Sequence, residues 1–158
     1  MKKILVLLVF WASLGVCAAS TITENKLDGT WETKVRIDDM DIKMTYVFDV
    51  DSMAVDLELN GTIDGLQMLN INIDGTFKAT KYGLTLQLDK KNARIKIDDA
   101  YLLRRNITIE KAPEFQEELA AGFLAQFRDV ETYKINTLTA NTLVLDDAGI
   151  ALNFNRVR

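Results

Sequence analysis

The chain has 158 residues, with 19 Lys and Arg against 23 Asp and Glu, a formal net charge of −4, 48% hydrophobic residues, no His and one Cys. A chain this acidic repels phosphate, so nucleic acid is not an expected partner. Without His, and with Cys17 inside an N-terminal leader, the usual general base, zinc ligands and thiol nucleophile are missing, so neither enzyme activity nor a metal or other cofactor is expected.

Residues 1–19 read as a secretory signal peptide. Lys2 and Lys3 form a positive start, residues 4–16 an apolar run, and Cys17-Ala18-Ala19-Ser20 the small residues of a cleavage site. The run is shorter than the roughly 20 residues that span a membrane. Cleavage near Ala18 or Ala19 leaves residues 20–158 as one domain of 139 residues, with 17 basic residues against 23 acidic (net −6) and no cysteine. The alternative is a lipoprotein. Leu14-Gly15-Val16-Cys17 resembles a bacterial lipobox, although Val16 stands where a small residue is usual, and acylation of Cys17 would tie the protein to a membrane. Export is the expectation either way, periplasmic or secreted in the first case. An exported chain without disulfides must rely on its own core, and 139 residues suffice for one.

From Thr30 the pattern has period two. Trp31, Thr33, Val35 and Ile37 share a face, followed by a turn at 38–41; Ile42, Met44, Tyr46, Phe48 and Val50 share the next; Met53, Val55, Leu57 and Leu59 follow the turn at Asp51-Ser52. Such alternation marks antiparallel strands with one dry face, and short polar turns between them mark hairpins. After a turn at Ile63-Asp64-Gly65, Leu69, Ile71, Ile73 and Phe77 continue the dry face; Met68 is out of phase, which predicts a bulge near Gln67 to Leu69. Leu84, Leu86 and Leu88 predict a further strand, Ile95 and Ile97 a short one, and Tyr101, Leu103, Ile107 and Ile109 another, with Arg105 on its apolar phase.

Residues 112–128 break the rhythm. Pro113 suits a first helical turn, acidic residues gather near the start, and Phe115, Leu119, Phe123 and Phe127 recur every four residues. This predicts one helix whose apolar stripe packs on a wall of the sheet or across one end. Strands then resume: Tyr133 and Ile135, Leu143 and Leu145, and finally Ile150, Leu152 and Phe154. About ten strands with short sequential turns favour an all-β, antiparallel up-and-down barrel of about 8–10 strands, with one helix inserted before the last strands.

Gly29-Thr30-Trp31 at the mouth of the first strand, together with Arg156 near the end of the last, resembles the lipocalin and fatty-acid-binding group, the calycins, and most nearly bacterial lipocalin-like exported domains. The resemblance implies a lipocalin-like barrel in which Arg156 packs across Trp31 at the closed end. Arg156 also falls on the phase of Leu152 and Phe154, where a charged group needs a partner such as an indole face. Unlike lipocalins, the helix precedes the final hairpins; unlike fatty-acid-binding proteins, no helical lid separates the first two strands.

Two functional expectations stand. The first is non-catalytic binding of a small hydrophobic, lipid- or fatty-acid-like ligand inside the barrel, lined by Met44, Tyr46, Phe48, Leu57 and Ile71, with Tyr101 and Arg105 orienting its head group. The second is a barrel with a filled core that meets a protein partner in the cell envelope, or acts in the manner of a protease inhibitor with the stretch from Ser20 to Lys26 inserting into the partner. The acidic pairs Asp38/Asp39, Asp98/Asp99 and Asp146/Asp147 lie at predicted turns, where Asp serves backbone hydrogen bonding.

Overall fold

The computed structural model describes residues 22–37, 39–108 and 110–157; the expected leader and Cys17 lie outside the described residues. The strands are β1 (Gly29–Ile37), β2 (Met40–Asp49), β3 (Ala54–Ile63), β4 (Leu66–Ala79), β5 (Gly83–Leu88), β6 (Arg94–Ile97), β7 (Val130–Leu138), β8 (Thr142–Asp147) and β9 (Ile150–Arg156). All pairings are antiparallel, in the order β3-β2-β1-β9-β8-β7-β5-β4-β6, and a further β3–β4 pairing closes the sheet on itself. Eight strands form the barrel; β6 pairs only with β4 and stands outside the ring. Apart from that excursion each strand pairs with its neighbours in sequence, which is up-and-down connectivity.

The turns follow from local chemistry. Asp64 and Gly65, with φ of 52° and 75°, make the tight β3–β4 hairpin, and Ala148 and Gly149, with φ of 51° and 95°, make the β8–β9 hairpin. The β3–β4 register shifts as Gly61 pairs Leu69 and Thr62 pairs Gln67, so Met68 is the extra residue of a bulge. This is why Met68 and Leu69, adjacent in sequence, are both buried. Gly75 marks another irregularity. There β4 passes its second edge from β6, paired at 69–72, to β5, paired at 75–79. A Cβ on Gly75 would meet the Gln87 carbonyl oxygen at 2.5 Å, so only glycine lets the two backbones approach.

The barrel is packed unevenly along its axis. At the bottom, where β1 starts and β9 ends, Trp31, Tyr46, Phe48, Phe77 and Phe154 are all but inaccessible to solvent. Tyr46 lies 5.3 Å from Phe154 and 5.7 Å from Phe48, and Phe48 meets Phe77 edge-on at 5.0 Å. Each such pair contributes about 0.5–1.5 kcal/mol beyond its area burial. At the top, the corresponding inward positions Val35, Met40, Met44, Ile63 and Leu152 are only partly buried.

Among the described residues three α-helices accompany the strands, where the sequence predicts one. α1 (Ile22–Leu27) draws residues 22–26 of the expected inserting stretch into a helix and seats a fully buried Leu27 at the bottom. α2 (Asp99–Arg104) replaces the strand expected through Tyr101, Leu103, Ile107 and Ile109. Asp98 decides this: in extended conformation it caps the helix, its carboxylate accepting from the Ala100 N–H at 2.9 Å. Leu102 is then buried and Leu103 exposed, a helical rather than an alternating pattern. With that strand gone the described chain has nine strands.

α3 (Ala112–Leu124) is the expected helix, four residues shorter than the 112–128 segment, so that Phe127 of the apolar stripe lies beyond its end. It lies at the top of the barrel, against β6 and beside Met40 and Ile42 of β2. Lys90, in the short 3-10 turn after β5, holds its exit by donating to the Phe127 carbonyl at 2.7 Å and pairing with Asp129 at 2.9 Å.

Candidate ligand-binding site

The bottom of the barrel is shut. Arg156 sits opposite Trp31 in the β1–β9 ladder, its guanidinium 4.3 Å from the indole centroid. Its Nε donates to the Ala140 carbonyl at 2.7 Å, and its two terminal nitrogens donate to the carbonyls of Asp28 and Lys26. The indole Nε1 donates to the Leu27 carbonyl at 2.7 Å. One cation thus gathers the exit of α1, the β7–β8 turn and the first strand over an aromatic face. Gly29 has φ +108°, and a Cβ there would lie 2.9 Å from an Arg156 nitrogen, which explains Gly at the head of β1. This contact closes the lower end of the barrel.

The expected interior residues fall into two groups. Tyr46, Phe48, Leu57 and Ile71 are each at most 1% exposed and line none of the described cavities. Tyr46 finds a partner for its hydroxyl in Tyr133; burial, then the neighbouring Tyr133, holds its pKa well above the usual range. Burial raises the Tyr133 hydroxyl as well. Met44, nearer the top, stays partly accessible.

Tyr101 and Arg105 are not inward-facing strand residues. Arg105 caps the C-terminus of α2, is exposed, and stacks on the Tyr101 ring at 5.5 Å. Both line an outer depression of about 500 Å³ between α2 and the β3–β4 hairpin, in company with Arg104, Asp64 and Asp98. They are therefore separated from the Met44, Tyr46, Phe48, Leu57 and Ile71 set.

The concave apolar site is elsewhere. Between α3 and the top of β2 lies a groove of about 660 Å³, lined by Met40, Ile42, Phe115, Leu119, Gly122 and Phe123, with Glu118 and Gln126 as its polar members. Small-molecule sites typically occupy about 300–1,000 Å³ and combine apolar lining with few polar groups. The stripe of α3 was legible in the sequence as a packing face; its junction with β2 was not, because about 75 residues separate them. Among the described residues no group of three or more His, Cys, Asp or Glu side chains is placed to hold a metal ion. No described helix is long and apolar enough to cross a membrane.

No family model and no curated protein matches this chain. Among solved structures it is similar to a lipocalin-like protein from Bacteroides uniformis, at 13% identity over 84% of this chain and 99% of that one, with a TM-score of 0.45. It is also similar to an uncharacterized protein from Bacteroides eggerthii, at 13% identity over 83% of this chain and 99% of that one, with a TM-score of 0.47. The chain's own features carry its description: eight sequentially paired antiparallel strands, closed at one end by Trp31 and Arg156, form a lipocalin-like β-barrel.

Proposed function

We propose that the protein binds a small hydrophobic molecule without catalysis, in the groove between α3 and β2 rather than deep in the barrel. The observation that carries this reading is the groove itself: Met40, Ile42, Phe115, Leu119 and Phe123 converge on about 660 Å³ of accessible space at the loosely packed end. The bottom favours the filled-core view, since aromatic rings occupy it. An acyl chain gains roughly 0.8 kcal/mol per buried CH₂, and the costs of association reduce the total to a modest affinity. Glu118 and Gln126 are the polar groups at hand, so a neutral or amine-bearing head group suits the site better than a carboxylate.

The experiment is a titration with N-phenyl-1-naphthylamine, followed by displacement with oleyl alcohol, oleylamine and oleate. We expect saturable fluorescence, with the alcohol and amine displacing the probe better than oleate. Gly122 has open space around the position of a Cβ, so Gly122→Leu fills the groove without a clash and should lower affinity at least tenfold with the fold intact. Equal affinity in wild type and Gly122→Leu would rule out this site. Export remains part of the proposal, on the strength of residues 1–20. The intact mass of exported protein checks it, starting near Ala19 or Ser20 if the leader is cleaved and at an acylated Cys17 if the protein is a lipoprotein.

A further inference from the structure

We propose that a parted seam between β1 and β9 receives an extended segment of another polypeptide, which adds a strand between Lys34 and Asn153. The β1–β9 ladder runs only through Trp31↔Arg156 and Glu32↔Asn155. Continued in register it would set Lys34 opposite Asn153 and Val35 opposite Leu152. Instead these four residues line opposite sides of a cavity of about 530 Å³. The barrel wall is zipped at the bottom and open above.

Hydrogen-bond phase shows what the gap presents. In an antiparallel ladder, alternate residues direct both N–H and C=O to the same edge. The Val157 N–H donates to the Thr30 carbonyl at 2.9 Å, which fixes the phase. Lys34 on β1, and Asn153 and Ala151 on β9, therefore turn their backbone groups into the seam, beyond the last ladder pair. Two facing edges with alternating donors and acceptors match the spacing of a peptide backbone, whereas a small apolar molecule would leave them unsatisfied.

The side chains specify the sequence of the guest. On the inner side Val35 and Leu152 are half-buried, so every second guest residue is apolar. On the outer side Lys34 is exposed and makes no ion pair among the described residues, so a neighbouring outward position favours Asp or Glu. The part of β9 that pairs with β8 but not with β1, Ile150–Asn153, accommodates about four residues at about 3.3 Å each. The seam shares no lining residue with the α3 groove, so either proposal can fail without the other.

The test uses the protein encompassing residues 20–158 and the peptide acetyl-Thr-Val-Glu-Val-Thr-Val-amide, with a control peptide N-methylated at each valine. Three results are expected. Calorimetry shows saturable binding of the first peptide and none of the control. Amide hydrogens of Lys34 and Asn153 exchange fast in the free protein and slow at least tenfold when the peptide is bound. Asn153→Pro, which removes a seam donor but no β8 ladder bond, weakens binding at least tenfold with unchanged thermal unfolding. Should that variant misfold, Lys34→Glu serves, and is expected to favour a peptide with Lys in place of Glu. The proposal is overturned by no binding at millimolar peptide, by equal binding of the N-methylated control, or by slow exchange at both amides in the free protein. It is also overturned by a dimer that Asn153→Pro dissociates, since a second copy would then be the occupant.

Discussion

Arg156 lies directly across the β1–β9 ladder from Trp31 and stacks on it at 4.3 Å, while its nitrogens bind the carbonyls of Ala140, Asp28 and Lys26. A single side chain near the end of the last strand thereby fixes the entry to the first. Truncating Trp31 to Ala removes a fully buried ring and should cost about 3–5 kcal/mol. Arg156→Ala should cost about 2 kcal/mol through the cation–π contact, and more through the orphaned carbonyls. Because the two touch, the double variant should be less destabilised than the sum by about 0.5–3 kcal/mol in urea unfolding. Additive losses would separate the pair energetically.

Gly29 answers to the same arginine. Gly29→Ala should destabilise by about 1–3 kcal/mol, through its positive φ and the close approach to the guanidinium. In an Arg156→Ala background the steric part disappears and the backbone part stays. The cost of Gly29→Ala should therefore shrink there without vanishing, as read from paired denaturation curves.

Gly75 has no such relief, since its obstructing neighbour is backbone. Gly75→Ala must push β4 from β5 and should cost at least about 1–3 kcal/mol. Amide exchange should rise at Thr85 and Gln87, whose backbone groups face β4, before it rises in β2 and β3, because the β4–β5 ladder parts first.

Tyr46 and Tyr133 give the fold an alkaline limit. Burial raises both hydroxyl pKa values, so the folded state keeps protons that the unfolded chain releases above about pH 10. The native form then binds more protons than the unfolded form, and stability falls as pH rises. The contribution should be intact below about pH 10 and lost progressively above it. Tyr133→Phe leaves the Tyr46 hydroxyl buried without a partner and should cost about 1–3 kcal/mol at neutral pH. Replacing both tyrosines by Phe should flatten the loss between about pH 10 and 12, as measured by unfolding at each pH.

The sequence determined those features that nearest neighbours along the chain dictate. Alternation of Met44, Tyr46 and Phe48 with Lys43, Thr45 and Asp49 set the faces of β2; Gly65 and Gly149 set tight hairpins because glycine accepts positive φ; the recurrence of Phe115, Leu119 and Phe123 at every fourth residue set α3. It also left Arg156 in phase with Phe154, on a dry face that demanded a partner. Where two local signals competed, alternation misled. Tyr101, Leu103 and Ile107 read as a strand, but Asp98 could satisfy a helical N–H, and a single buried position, Leu102, suited one short turn of helix better.

Only the tertiary structure decided where space remains. Met44 and Phe48 belong to one alternating face and look equivalent in sequence. Phe48 meets Tyr46 and Phe77 in the closed half, while Met44 lies in the half that opens toward α3 and the β1–β9 seam. Whether an inward side chain plugs the barrel or borders a groove depends on what crosses from the opposite wall. Those crossings are between residues far apart in sequence, and period-two patterning carries no term for them. For the same reason Tyr101 and Arg105 were drawn toward the interior by phase alone, and the chain fold set them on its outside.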